Sequence, residues 1–116
     1  MLAAALLRRS LRPSAATRSL SAAPSLVPRW LLFYDYVPDV LEKRQPHRAG
    51  HIALVKEYVD RGDCLLGGAF ADPVDGAVIV FSTEAAANGF AVADPYVANG
   101  IVTSSKVREW STVVFN

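Results

Sequence analysis

Residues 46–60 have the sequence PHRAGHIALVKEYVD, and their apolar residues recur at the spacing of a helix with one buried face. At about 100° per residue, one side of this helix carries His51, Ile52, Leu54, Val55, Tyr58 and Val59. Arg48 lies one turn before His51 on the same side. An imidazole and a guanidinium on an apolar face are either core groups with hydrogen-bond partners or groups that face a pocket.

The segments that flank this helix predict strands. Residues 30–37 are apolar on both alternating faces, which is typical of a central strand that is covered on both sides. Residues 64–71 and 77–82 flank a turn-forming sequence, Asp72-Pro73-Val74-Asp75-Gly76, and predict a hairpin. In the first of these strands, Gly67-Gly68 indicates either a bulge, which is the usual meaning of strand glycines, or a close approach of a ligand to the backbone.

The C-terminal part predicts a second helix and a final strand. Thr83 can cap the helix, and Asp94-Pro95 interrupts it, because the residue before a proline is pushed out of the helical region. Asp94 can then cap a short new turn, and residues 101–114 hold the last strand or strands. The order βαββαβ predicts an α+β, ferredoxin-like fold, in which both helices cover one face of a four-stranded antiparallel sheet.

The sheet face without helices predicts a homodimer. Because residues 30–37 are apolar on both faces, a second copy is expected to cover the bare face, as in a dimeric α+β barrel. Cys64 is the only cysteine, which excludes an intrachain disulfide and a multi-cysteine zinc site. His47 and His51 have a spacing that can bind metal, but no His-Glu-x-x-His signature accompanies them. We expect no metal and no cofactor.

The N-terminal segment differs in charge from the rest of the chain. Residues 1–29 contain five arginines and no Asp or Glu, whereas residues 30–116 have a net charge of −4. This composition predicts an organellar transit peptide over residues 1–20, a linker over 21–29 and the folded domain over 30–116. We expect the mitochondrial matrix, with a plastid as the alternative. The acidic domain disfavours nucleic-acid binding, and no stretch approaches the roughly 20 apolar residues of a membrane span.

His51 and Asp94 are the residues best suited to acid–base chemistry. The start of the first helix and the end of the second can come within a side chain's reach when both helices pack on one sheet face. A carboxylate that accepts from one imidazole nitrogen fixes the tautomer and leaves the other nitrogen to act as a general base. Such a pair is also common as a purely structural hydrogen bond, so the residues alone leave both interpretations open.

Three motifs of this chain resemble the YciI-like (YCII-related) domain proteins of the dimeric α+β barrel group. They are Leu41-Glu42-Lys43-Arg44 followed by Arg48-Ala49-Gly50-His51, then Leu66-Gly67-Gly68, and Ala93-Asp94-Pro95-Tyr96-Val97 with Gly100. The resemblance covers nearly all of residues 30–114 and implies a ferredoxin-like dimer with a site that pairs His51 with Asp94. Many members have proline at the positions of Ala49 and Ala69, and neither difference removes a functional group.

The leading hypothesis is a small organellar enzyme of lyase or isomerase type with a small-molecule substrate. His51 would move a proton, and Asp94 would orient the imidazole. Arg48 would bind an anionic group of the substrate or stabilise an enolate, and Tyr96 and Gly68 would line the pocket. The alternative is a non-catalytic dimer that binds a small ligand or serves as an accessory protein, with the pair kept as a buried hydrogen bond.

Overall fold

The computed structural model describes residues 23–115, and the predicted transit peptide over residues 1–20 lies outside them. In chain order the elements are β1 Ser25–Tyr36, α1 Val40–Lys43, α2 Gln45–Asp60, β2 Cys64–Ala69, β3 Gly76–Phe81, α3 Glu84–Ala93, α4 Pro95–Ala98 and β4 Val102–Val114. This order confirms the predicted α+β arrangement, in which α1 and α4 are single-turn helices beside the longer α2 and α3. Among the described residues, no helix combines the length and the apolar character needed to cross a membrane.

The four strands form one antiparallel sheet in the order β2-β3-β1-β4. The central pair is β1 and β3. Their pairing extends from Trp30 opposite Phe81 to Asp35 opposite Gly76. β2 pairs with the other edge of β3 and is an edge strand. The central position of β1 agrees with its apolar character on both faces.

The two glycines of β2 do not form the bulge that the sequence favoured. The register of β2 shifts at Leu65, and Gly67 lies in regular pairing opposite Ile79. A Cβ on Gly67 would lie 3.3 Å from Ile79 Cγ2, whereas a Cβ on Gly68 would meet nothing within 4 Å. The bulge interpretation of the glycines is therefore wrong, because Gly67 serves a close contact with β3 and Gly68 borders open space.

The hydrophobic core lies between the helices and the helix-facing sides of β1 and β3. Its largest fully buried apolar side chains are Leu32, Tyr34, Phe81, Phe90 and Tyr96. Tyr58 of α2 packs edge-on against Phe90 of α3, with ring centroids 5.3 Å apart. This edge-to-face geometry is the favoured one for aromatic pairs and ties the two long helices together.

The apolar side of α2 is only partly buried. Ile52 and Val59 are each 48% exposed, although the helical periodicity placed them with the buried residues. Both border a cavity between α2 and the sheet, whereas Tyr58 of the same helix is buried. Periodicity identifies the side of a helix that faces the protein, but it does not show whether that side meets packed atoms or an open space.

β1 begins at Ser25, five residues before the expected start of the domain and inside the predicted linker. Pro24 and Pro28 predicted an irregular segment there. However, Thr112 Oγ1 donates a hydrogen bond of 2.6 Å to the carbonyl oxygen of Val27, a partner that local sequence does not reveal. The described residues group into a main unit, residues 28–111, and a second unit formed by residues 23–27 and 112–115.

Candidate functional site

His51 and Asp94 meet where α2 contacts the turn between α3 and α4. His51 lies in the second turn of α2, and Asp94 both ends α3 and begins α4. The residues beside them make the approach close, because a Cβ on Gly50 would lie only 3.2 Å from Pro95 Cγ. A glycine next to the histidine and a proline next to the aspartate thus allow the two side chains to touch.

The pair is joined by a short hydrogen bond. His51 Nδ1 lies 2.9 Å from Asp94 Oδ1 and 3.1 Å from Asp94 Oδ2. The Asp94 side chain is fully buried, and the His51 side chain is 12% exposed. Because a carboxylate only accepts, Nδ1 is the donor, and the neutral ring carries its free lone pair on Nε2. This is the tautomer that a general base requires.

Two further groups donate to the Asp94 carboxylate. The Tyr34 hydroxyl donates to Oδ2 at 2.7 Å, and the backbone N–H of Tyr96 donates to Oδ1 at 3.0 Å. Burial raises the pKa of Tyr34 well above its ordinary value, and the hydrogen bond to Asp94 raises it further, so the hydroxyl remains a donor. Together with His51, these donors offset the loss of hydration of a buried carboxylate.

Aromatic rings fix the orientation of the His51 imidazole. The Tyr96 ring stacks on it with a centroid distance of 3.9 Å and an angle of 2° between the planes. Phe90 meets the imidazole edge-on, with centroids 6.0 Å apart. Because Asp94 also holds Nδ1, the ring cannot turn without losing these contacts, and the direction of Nε2 is set by the surrounding structure.

A cavity of about 400 Å³ lies beside His51 and is called the His51 cavity here. Its polar lining consists of Tyr36, Arg44, Arg48, His51 and Tyr96. Its apolar and small lining residues include Ile52, Val55 and Val59 from α2 and Leu65, Gly67, Gly68, Ala69, Ala77 and Ile79 from the sheet. The volume falls within the range of small-molecule binding sites, which commonly combine an apolar wall with a few polar groups.

The structure brings the predicted site residues to one place. Arg48, His51, Gly68 and Tyr96 line the His51 cavity, and Asp94 lies behind His51 as its hydrogen-bond partner. Within residues 23–115, no three His, Cys, Asp or Glu side chains are arranged to hold a metal ion.

Sequence reasoning missed Tyr34, Tyr36 and Arg44. Tyr34 and Tyr36 are on the helix-facing side of β1, and their hydroxyl groups were a signal, because a buried hydroxyl needs a partner. Burial raises the pKa of Tyr36 to about 12. Arg44 lies four residues before Arg48, a spacing that places both on one side of a helix.

Solved structures of two proteins are similar to this chain. The first is 5-chloro-2-hydroxyhydroquinone dehydrochlorinase (TftG) from Burkholderia phenoliruptrix AC1100, in complex with 2,5-dihydroxybenzoquinone. The similarity has a TM-score of 0.60 and 18% sequence identity, and it covers 71% of this chain and 92% of that one. The second is a conserved protein from Methanosarcina mazei Go1, with a TM-score of 0.45, 10% identity and coverage of 78% of this chain and 93% of that one.

The first similarity supports the α+β fold. A comparison with curated proteins found no match. The model of the YCII-related domain matches residues 29–111, which is well over half of the chain. The match includes both members of the His51–Asp94 pair and every residue that lines the His51 cavity. The chain therefore belongs to the family of YCII-related domain proteins.

Proposed function

We propose that this protein is a small-molecule enzyme of lyase or isomerase type, in which His51 Nε2 removes a proton from a carbon atom of the substrate. The observation that carries the proposal is the hydrogen bond of 2.9 Å between His51 Nδ1 and the buried Asp94 carboxylate, beside a cavity of about 400 Å³. The dehydrochlorinase of similar fold supports this kind of reaction.

The proposed step follows from the geometry of the pair. The C–H bond breaks, the proton moves to His51 Nε2, and the electron pair of that bond moves toward an adjacent carbonyl group to form an enolate. Asp94 stabilises the imidazolium that results, because its carboxylate already accepts from Nδ1. Arg48 lines the same cavity and can stabilise the negative charge on the enolate oxygen.

The second step distinguishes the two reaction types. In an isomerase, the imidazolium returns its proton to a different atom of the enolate. In a lyase, the electron pair of the enolate expels a leaving group from the neighbouring carbon, that group departs with the electrons of its bond, and the imidazolium gives its proton to the departing group or to water. Both outcomes use the same first step, so a measurement of proton removal tests the proposal before the product is known.

A non-catalytic role is the second candidate, and one observation favours it. Asp94 is fully buried and already accepts from Tyr34, His51 and the backbone of Tyr96, which is the arrangement of a structural hydrogen-bond network. In that case the His51 cavity binds a small ligand without turnover, or the protein serves as an accessory component of the organelle.

The test measures hydrogen exchange in D₂O. The full-length protein is incubated with a panel of small carbonyl compounds and with a small-molecule cell extract, and mass spectrometry detects deuterium that enters a substrate. We expect exchange with the unmodified protein and a roughly 100-fold to 10,000-fold loss in His51→Gln, which is the usual contribution of a general base.

The matched control is His47→Gln. This histidine is in the same helix, one turn earlier, but it does not line the His51 cavity, so the exchange rate should be unchanged. Exchange that persists in His51→Gln would contradict the proposal. The absence of protein-dependent exchange across the panel and the extract would favour the non-catalytic role.

The proposal also includes a setting for the protein, namely a homodimer in the mitochondrial matrix. The acid-free, arginine-rich composition of residues 1–20 supports the location. A fluorescent reporter fused to these residues should enter mitochondria. A cytosolic reporter would refute this location, and a plastid signal would replace it.

A further inference from the structure

One end of the His51 cavity presents hydrogen-bond donors without partners. Among the described residues, Arg44 Nε and the Tyr96 hydroxyl are buried polar atoms that make no hydrogen bond, and both residues line this cavity. Tyr96 is 1% exposed, and its hydroxyl is buried although the residue borders the cavity. Buried donors are normally paired, and two unpaired donors beside one cavity point to a ligand that brings acceptors.

The charge at this end favours an anion. Arg44 and Arg48 both line the cavity, and no Asp or Glu is among the described residues that do so. The buried Asp94 carboxylate does not line the cavity and already accepts from Tyr34 and His51. Burial raises the pKa of Tyr36 to about 12. The positive charges of Arg44 and Arg48 lower the pKa of the same hydroxyl and so oppose the effect of burial. Arg44, Arg48 and Tyr36 all line the same cavity.

The opposite end of the cavity is apolar and open. Val55 and Val59 of α2 line it together with Leu65 and Ile79 of the sheet, and Val59 and Leu65 remain 48% and 45% exposed. Arg48 and Val59 are eleven residues apart in one helix, which corresponds to roughly 16 Å along the helix axis. The lining thus changes from charged to apolar along the length of the helix.

We propose that the ligand of the His51 cavity is a small carboxylic acid with an apolar chain, whose carboxylate is bound by Arg44 and Arg48 and whose chain extends toward Val59. This inference names the substrate class of the proposed function and rests on it. A carboxylate matches the flat guanidinium group in two parallel hydrogen bonds. The carbon atom next to a carboxylate also carries hydrogens that His51 could remove. The phosphorus atom of a phosphate group carries none.

Calorimetric titration of the full-length protein with butanoate, hexanoate and octanoate tests the two ends of the cavity together. We expect the dissociation constant to fall by roughly fourfold for each added methylene group, which is the usual effect of burying one. Hexanoate should bind at least tenfold more tightly than 1-hexanol, which lacks the charge. Equal affinities for the acid and the alcohol, or no dependence on chain length, would overturn the proposal. Tighter binding of hexyl phosphate than of hexanoate would overturn the carboxylate assignment.

Variants separate the contributions of the two ends. Arg44→Gln should weaken all three acids by roughly tenfold or more and leave their dependence on chain length unchanged. If Arg44→Gln does not fold, Arg48→Gln takes its place, because Arg48 is exposed and its position tolerates substitution. This variant should have the same effect on the affinities. Val59→Thr keeps the side-chain shape. It should reduce only the increase in affinity from hexanoate to octanoate. Lys43→Gln removes a neighbouring charge outside the cavity and should change nothing.

One variant distinguishes a failure of this inference from a failure of the proposed function. His51→Gln should bind hexanoate normally, because the carboxylate lies on Arg44 and Arg48, and it should lose hydrogen exchange. If hydrogen exchange persists in His51→Gln while the acids bind as expected, only the proton-transfer proposal fails. If exchange depends on His51 while the acids do not bind, only the assignment of the substrate class fails.

Discussion

At the scale of single residues, Asp94 is the centre of the site. Its side chain is fully buried, and a buried carboxylate is costly unless donors surround it. The Tyr34 hydroxyl supplies the shortest of these hydrogen bonds, at 2.7 Å, and it reaches Asp94 from the helix-facing side of β1. Tyr34 is therefore a positioning residue: it touches neither the cavity nor the proposed substrate, and it acts through Asp94.

Tyr34→Phe tests this role. The substitution keeps the ring but removes one donor to a buried carboxylate, so the free energy of unfolding in urea should fall by about 1.5–3 kcal/mol. The hydrogen-exchange rate should fall as well, because Asp94 loses one of the three donors that hold it beside His51. The comparison variant is Tyr36→Phe, whose hydroxyl does not donate to Asp94 and whose stability loss should be smaller. A larger loss in Tyr36→Phe would contradict the assignment.

At the scale of elements, glycines decide how closely neighbouring segments approach. Gly50 lets α2 approach Pro95 at the start of α4, and this contact brings His51 to Asp94. Gly76 at the start of β3 has a different constraint, since a Cβ there would lie 2.5 Å from the backbone oxygen of Tyr34. Backbone atoms of a central strand cannot give way as a flexible side chain can.

Gly76→Ala should therefore lower the free energy of unfolding by about 1–3 kcal/mol, the usual cost of forcing extra volume into a packed site. Gly68→Ala is the matched control in the neighbouring strand. A Cβ on Gly68 meets nothing within 4 Å, so this variant should keep its stability or gain up to about 1 kcal/mol from the reduced freedom of the unfolded chain. Urea unfolding of both variants checks the contrast, and equal losses would show that the close approach at Gly76 is not rigid.

At the scale of the whole molecule, the sheet face opposite the helices has apolar residues that stay exposed. Lys106 Nζ lies 5.4 Å from the Phe33 ring centroid, which places both on this face. Trp110 follows Lys106 by four residues in β4, and strand alternation gives it the same face. Leu66 of β2 is 69% exposed, and Trp110 is 49% exposed. A second copy that covers this face would remove these side chains from water.

Light scattering should accordingly return twice the chain mass of 12.5 kDa at micromolar concentration. Trp110→Lys should shift the protein to monomer, because a charge cannot be buried between two sheets without a partner. Val92→Lys is the control, since Val92 is 84% exposed on α3 and lies on the helical side of the sheet. An unmodified protein that scatters as a monomer would contradict the dimer.

The sequence predicted the main elements and their order, although β1 begins five residues earlier than expected. The spacing of apolar residues predicted a helix at residues 46–60, and α2 spans Gln45–Asp60. Asp94-Pro95 predicted a break with a capped turn, and the Asp94 side chain accepts from the backbone N–H of Tyr96 as a cap does. These features are local, because periodicity, proline and capping residues act over one or two turns of chain. The α+β topology follows from their order.

Only the tertiary structure decided which distant groups share one space. Tyr34 and Asp94 are sixty residues apart and meet at 2.7 Å, and no local pattern connects them. The same holds for the unpaired donor of Arg44 and for the exposure of Val59, which depend on an unfilled volume between α2 and β2. The physical reason is that short-range preferences determine the conformation of each segment, whereas a cavity and a buried hydrogen-bond network exist only after segments far apart in sequence have packed together.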